Sequence, residues 1–217
     1  MLHIAFDLDG TLVDSVGDLA ASASELVTAL GGRPLDAQEV ALMVGEGAGV
    51  LVGRALAASG LDVAMPGALA RFLEIYDRRL LETTAAYHGV PEMLLLVSRQ
   101  ARLSVLTNKP SAASRRLLEG LGLLHYFHEV IGGDSALGRK PSAAAFRRLT
   151  HGADHAVLVG DSPIDWQTAS NAGCDFVWAR YGFGAARFDR PPDTPYVIDR
   201  PAELAGVVDR LRAIRFG

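Results

Sequence analysis

The sequence predicts an α/β fold, an open parallel sheet covered by helices on both faces, with a helical insertion just after strand one. Three observations predict it. Short apolar runs rich in β-branched and aromatic residues recur along the chain; helical patterns separate most of them; and one long early stretch has helical patterns but no strand-like run. With 217 residues, 49% hydrophobic and 21% charged, the chain has enough apolar surface for a full core, which excludes disorder, collagen and coiled coil.

The first run is Ile4-Ala5-Phe6. The stretch from Val16 to Ala86 follows, with helical patterns over Gly17 to Leu30, Asp36 to Met43, Val50 to Ala58 and Ala68 to Leu81, punctuated by Gly31-Gly32, Pro34, Gly60 and Pro66. Strand-like runs return at Leu103 to Leu106, Val130-Ile131, Ala156 to Val159 and Phe176 to Trp178, with Val197-Ile198 weaker. Between them lie the helical patterns Ser111 to Gly120, Ser142 to Leu149 and Asp165 to Ala172, and Pro191-Pro192 and Pro195 mark a late surface loop. Residues 1–15 and 87–217 are therefore assigned to the α/β core and residues 16–86 to a helical cap placed to cover it.

Charge and cysteine narrow the partners. A net charge of −4 supplies no field for nucleic acid or an anionic membrane. The single Cys174 cannot form an internal disulfide and reads as a small core residue; His88, near the return from the cap, reads as structural. The start runs from Met1-Leu2-His3-Ile4 directly into Asp7 and Asp9, no apolar run approaches a membrane span, and the six histidines lack zinc-type spacing. A cytoplasmic protein is expected, monomer or homodimer.

Chemistry is expected just beyond the strands, because open parallel sheets bind ligands at the carboxyl ends of their strands. There the sequence places Asp7-Leu8-Asp9-Gly10-Thr11, then Thr107-Asn108-Lys109-Pro110, then Lys140-Pro141 before a helix, then Gly160-Asp161-Ser162-Pro163-Ile164-Asp165. Any one of these also reads as a turn, a helix cap or a solvated loop; four in succession favour a site. Clustered carboxylates repel one another unless a cation neutralises them, and oxygen donors without His or Cys suit Mg²⁺. Thr107, Asn108 and Lys140 add donors, so the group describes a site for a phosphate dianion, with one free carboxylate able to attack phosphorus. The chain's two lysines, Lys109 and Lys140, both fall within these segments, while arginine serves elsewhere.

In order and spacing the four segments resemble the signature motifs of the haloacid dehalogenase superfamily, across essentially the whole chain. The resemblance implies a Rossmann-like core with a small C1-type cap. It implies Asp7 as nucleophile, Asp9 as general acid and base, and phosphate binding by Thr107 and Lys140, with Thr11 shaping the first loop; Thr11 and Asn108 are counted with these two as candidate phosphate-binding residues. It further implies Mg²⁺ held by Asp7, the backbone carbonyl of Asp9 and Asp161, with Asp165 behind them or as an alternative ligand. The substrate would be a small phosphorylated metabolite.

Within that superfamily, dehalogenases lack the second aspartate of the first motif, which is present here as Asp9, and phosphonatases use a cap lysine, which Val16 to Ala86 does not contain. Sugar phosphomutases share the core motifs and this kind of cap. Receiver-type switches, which accept a phosphoryl group without turnover, share the arrangement of Asp, Thr and Lys but lack the cap and a base such as Asp9. Three stretches resemble the phosphoglycolate phosphatase-like branch: the cap loop Val44-Gly45-Glu46-Gly47-Ala48-Gly49 with Leu51 and Arg54-Ala55-Leu56, the run Val130-Ile131-Gly132-Gly133-Asp134, and Tyr181-Gly182. Gly47 and Arg54 are the candidates for specificity in the cap. One departure is Lys140-Pro141-Ser142-Ala143, where the family's pattern has a second proline, favoured but dispensable at a helix entry.

Overall fold

The computed structural model describes residues 1–216 and contains a six-stranded parallel sheet with helices on both faces. Its strands are β1 (Leu2–Phe6), β4 (Arg102–Leu106), β5 (Glu129–Ile131), β6 (His155–Gly160), β7 (Asp175–Ala179) and β8 (Tyr196–Ile198), and β2 (Val13–Asp14) and β3 (Ala85–Ala86) form a separate antiparallel ribbon. All six expected runs are strands of the one sheet. Its order is β5-β4-β1-β6-β7-β8, so the chain builds outward from β1 in one direction and then in the other. That reversal puts a crevice at the end of β1, flanked by β4 and β6.

Register makes the crevice useful. Phe6 lies opposite Val105 on one side and Val159 on the other, so Asp7, Thr107 and Asp161 leave the sheet at a common edge. Along β1 the side chains alternate between two buried clusters: Ile4 and Phe6 join one with Val157 and Val159, and Ala5 joins the other with Leu158. Both faces of this strand are thus apolar, which explains its continuous hydrophobic sequence.

Four helices follow β2: α1 (Val16–Ala29), α2 (Ala37–Ala41), α3 (Ala48–Ala58) and α4 (Ala68–Arg79). They pack on one another, α1 against α2, α3 and α4. The expected Asp36 to Met43 helix is shorter because Asp36 caps it from outside, in a reciprocal arrangement with Glu39. The β2–β3 ribbon lies where the chain leaves and re-enters the core, pairing Val13 with Ala86 and Asp14 with Ala85. Beside it the buried Asp18 carboxylate accepts from the backbone N–H and hydroxyl groups of both Thr83 and Thr84, at 2.5–3.0 Å.

The core helices are α5 (Val90–Val97), α6 (Ser111–Gly120), α7 (Ala144–Leu149), α8 (Pro163–Ala172) and α9 (Leu204–Phe216). α5, α9 and the ribbon were not in the sequence reading. In α5 nearly every residue is apolar, yet Leu95 and Leu96 are exposed, so no helical period marks its inner face. The two-residue strands of the ribbon are too short to show alternation. Among the described residues no helix is long and apolar enough to cross a membrane.

Candidate active site

Asp7 continues the line of β1: its N–H bonds Val159 O at 2.9 Å, which fixes the backbone and turns the carboxylate into the crevice. The side chain is buried, with Lys140 Nζ 2.7 Å from Oδ1. The same ammonium lies 2.6 Å from Asp165 Oδ1. Asp165 Oδ2 accepts from Ser162 N at 3.1 Å and Ser162 Oγ at 2.6 Å, so Asp165 also caps α8. Its task is to hold Lys140 and this loop in place.

Asp161 completes the group. Its Oδ2 accepts from Gly184 N at 2.7 Å and its Oδ1 from Thr11 Oγ1 at 3.3 Å, and among the described residues no cationic side chain forms a salt bridge with it. Oxygens of Asp7, Asp161 and Asp165 all lie within 4.8 Å of one another. Burial first, then the charge of Asp165, push Asp7 up to about 7 against the pull of Lys140. Asp161 is raised for the same reasons, burial leading and Asp165 and Asp7 adding to it. Three buried carboxylates facing one lysine leave negative charge uncompensated, and the all-oxygen donor set of Asp7 and Asp161 fits a hard divalent cation.

Close backbone approach builds the walls of this group. A Cβ on Gly10, whose φ is 91°, would lie 2.0 Å from Asp161 Oδ2. A Cβ on Gly182 would lie 2.1 Å from Gly10 O and 2.4 Å from Asp161 Cβ. The sequence signal Tyr181-Gly182 therefore has a structural cause, reinforced by Tyr181 Oη, which donates to Thr11 O at 2.7 Å.

The second motif loop turns donors inward. Thr107 Oγ1 accepts from Lys109 N at 3.2 Å, and its own proton is available to a ligand. Asn108 lines the cavity with Asp7 and Thr107, and its side chain is engaged within the protein. Its Oδ1 accepts from Lys140 N at 2.9 Å, and its Nδ2 donates to Gly45 O at 3.0 Å and Lys140 O at 3.2 Å. The amide ties the second and third motif loops to the cap loop. Gly132 and Gly133 press on the same segment, where a Cβ on either would lie 2.4 Å from backbone atoms of Ser111 and Asn108 respectively, and Asp134 caps α6 through Ser111 N at 2.9 Å.

Asp9 stands apart from the three-carboxylate group. Ser15 Oγ donates to its Oδ1 at 2.6 Å, and Lys109 Nζ donates to both oxygens at 3.0 and 3.2 Å. Asp7, Asp9 and Thr107 face a cavity of about 270 Å³, closed on the cap side by Gly47, Leu51 and Phe72. Gly47 is thus brought to the cavity; Arg54 is not among the residues lining it. Arg54 instead bonds Glu46 Oε1 at 2.6 Å and Met43 O at 3.2 Å, and Arg187 from the core reaches the same Glu46 oxygen at 2.6 Å. Through these contacts Arg54 holds the shape of the cap loop.

Residues 4–179 match the haloacid dehalogenase-like hydrolase family. The chain belongs to that family. It is 44% identical over 192 residues to the phosphoglycolate phosphatase of Rhodospirillum rubrum, covering 83% of this chain and 80% of that protein. It is 36% identical over 216 residues to the phosphoglycolate phosphatase of Photobacterium profundum, covering 94% of each. Among solved structures, a predicted phosphoglycolate phosphatase from Haemophilus somnus 129pt superposes with a TM-score of 0.84 at 28% identity, covering 94% of this chain and 96% of that one. The chain is a hydrolase with an α/β core, and its four-helix insertion lies between β2 and β3.

Two contributors to the site escaped the sequence reading. The rarity of lysine in the chain is the only sequence signal for Lys109. Tyr76, whose hydroxyl accepts from Lys109 Nζ at 2.5 Å, sits in an ordinary amphipathic helix pattern that gave no signal.

Proposed function

We propose that this hydrolase cleaves a small phosphomonoester of the phosphoglycolate type through an aspartyl-phosphate on Asp7. The reading rests on one observation: Asp7 lies at the cavity wall between Lys140 and Asp161, while Asp9, two residues on, faces the same cavity with a separate set of partners. Asp7 and Asp161, with the backbone carbonyl of Asp9, would hold Mg²⁺. When bound, that ion offsets the charge of the phosphate and of the carboxylates that receive it.

Lys140 and the Thr107 hydroxyl orient the phosphoryl oxygens, and the loop around Asn108 holds both donors at the crevice. A carboxylate oxygen of Asp7 attacks phosphorus as the bond to the leaving oxygen breaks, and Asp9 gives that oxygen its proton. Asp9, now a base, takes a proton from water, which attacks phosphorus, breaks the bond to Asp7 and releases phosphate. Asp165 keeps Lys140 against Asp7 throughout, and Thr11 holds Asp161.

The relatives' shared name favours phosphoglycolate as the first substrate to try, and the 270 Å³ cavity suits a compact leaving group. A cytoplasmic metabolite enzyme is the matching setting. A panel of phosphoglycolate, hexose phosphates, nucleotides and pyrophosphate, read as kcat/KM with Mg²⁺ present, tests this. Preference for phosphoglycolate with release of inorganic phosphate is the expected result. Transfer of the phosphoryl group back to a sugar would instead make the protein a phosphomutase, and a single labelling without turnover would make it a switch.

A further inference from the structure

We propose that Tyr76 and Lys109 are positioning residues through which the cap orients Asp9. The proposal rests on the reading of Asp9 as acid and base given above, and on the contacts of one buried ammonium group.

Lys109 is 6% exposed, and its Nζ has three protons. Two go to the oxygens of Asp9 at 3.0 and 3.2 Å, and the third to Tyr76 Oη at 2.5 Å. Asp9 is thus gripped on one side by Ser15 and on the other by a lysine whose last donor is satisfied only by the cap. Tyr76 belongs to α4, its ring stacked on Phe72 at 5.9 Å with an interplanar angle of 4°, and both rings line the cavity. The seat of α4 over the cavity therefore fixes the third partner of Lys109.

A buried ammonium is costly to leave with an unfilled donor. If α4 withdraws, Lys109 must turn toward water or another acceptor, and Asp9 loses a defined hold on both of its oxygens. With α4 seated, Lys109 is saturated and the carboxylate is fixed. The arrangement explains the choice of lysine in a chain where only two of 21 basic side chains are lysine. Three acceptors converge on one nitrogen, which a tetrahedral ammonium satisfies and a planar guanidinium does not. The two lysines divide the first motif between them: Lys140 holds Asp7 and Lys109 holds Asp9. Lys109 also lines the cavity, where its nitrogen is within hydrogen-bond distance of both Asp9 oxygens and of Tyr76 Oη.

The test is steady-state and rapid-quench kinetics on full-length Tyr76→Phe, Lys109→Met, Lys109→Arg, the Tyr76→Phe/Lys109→Met double variant and Asp9→Asn, with p-nitrophenyl phosphate and phosphoglycolate as probes. Tyr76→Phe keeps the ring stack and removes only the hydroxyl, so it remains informative should the lysine variants fold poorly. Misplacing a catalytic group costs up to about a hundredfold. Accordingly Lys109→Met is expected to lower kcat by roughly 10- to 100-fold and Tyr76→Phe by roughly 3- to 10-fold, each with KM little changed and phosphoenzyme accumulating. The double variant is expected to fall no further than Lys109→Met, because Tyr76 acts through Lys109. Lys109→Arg is expected not to rescue. Independent, multiplying losses in kcat, or a loss confined to KM, would overturn the proposal, as would wild-type kcat in Tyr76→Phe. Asp9→Asn separates the two readings: if it alone is inactive, the relay fails and Asp9 stands; if it is fully active, the assignment of Asp9 fails.

Discussion

Lys140 Nζ lies 2.7 Å from Asp7 Oδ1, and both side chains are buried. Lys140 is raised above the ordinary lysine value, because Asp165 and Asp7 outweigh the burial that alone would lower it. The ammonium is therefore favoured in its charged form, and it stands against Asp7 at the cavity.

Removing that lysine tests whether the pair is structural as well as chemical. Lys140→Met leaves Asp7 and Asp165 facing each other without compensation. Breaking a buried pair from one side costs about 3–5 kcal/mol. Urea denaturation is expected to show a loss on that scale, together with loss of turnover; stability like that of the wild type would mean that water reaches these carboxylates freely.

The glycine cradle of Asp161 gives a second prediction. Gly182 has φ −76°, which any residue adopts, so Gly182→Ala acts only through its Cβ, 2.1 Å from Gly10 O and 2.4 Å from Asp161 Cβ. The added methyl displaces Asp161. Titration of Mg²⁺ by calorimetry is expected to show at least tenfold weaker binding, in line with losses on disturbing groups that orient metal ligands. Unchanged binding would remove Asp161 from the ligand set.

A third prediction concerns pH. Asp7 is raised to about 7, so between its ordinary value and about 7 the metal-free folded state binds more protons than the unfolded state, and stability falls as pH rises. His3 acts in the opposite sense: burial, aided by Arg102 and His128, lowers it to about 4, so its contribution increases with pH from about 4 to its ordinary value. The Asp7→Asn variant isolates the first effect. Without metal it is expected to match the wild type near pH 4 and to melt several degrees higher above pH 7, and Mg²⁺ is expected to raise the wild-type Tm more at pH 7.5 than at pH 5. A Tm difference between variant and wild type that does not change with pH would contradict the assigned shift.

How much of this was legible in the sequence follows from which forces set each feature. The sheet was legible because β1, with Ile4, Ala5 and Phe6 buried on both faces, leaves an unbroken apolar signature. Asp7, Asp161 and Lys140 were legible because strand ends converge in any parallel sheet. The side-chain partners of Asn108 and Arg54, Lys140 and Gly45 for one and Glu46 and Met43 for the other, were not legible because they are set by how the loops pack. The Tyr76 contact depends on the seat of α4 against the core, a long-range relation that no local pattern carries.

The most direct measurement of the central claim uses Asp9→Asn enzyme mixed with p-nitrophenyl phosphate and Mg²⁺, quenched in acid, and mapped by mass spectrometry after borohydride reduction. With phosphoryl transfer preserved and hydrolysis slowed, the peptide carrying Asp7 is predicted to hold one phosphoryl group before reduction and homoserine in place of Asp7 after it. An unmodified Asp7 in enzyme that still releases p-nitrophenol, or the label on any other residue, would contradict the account.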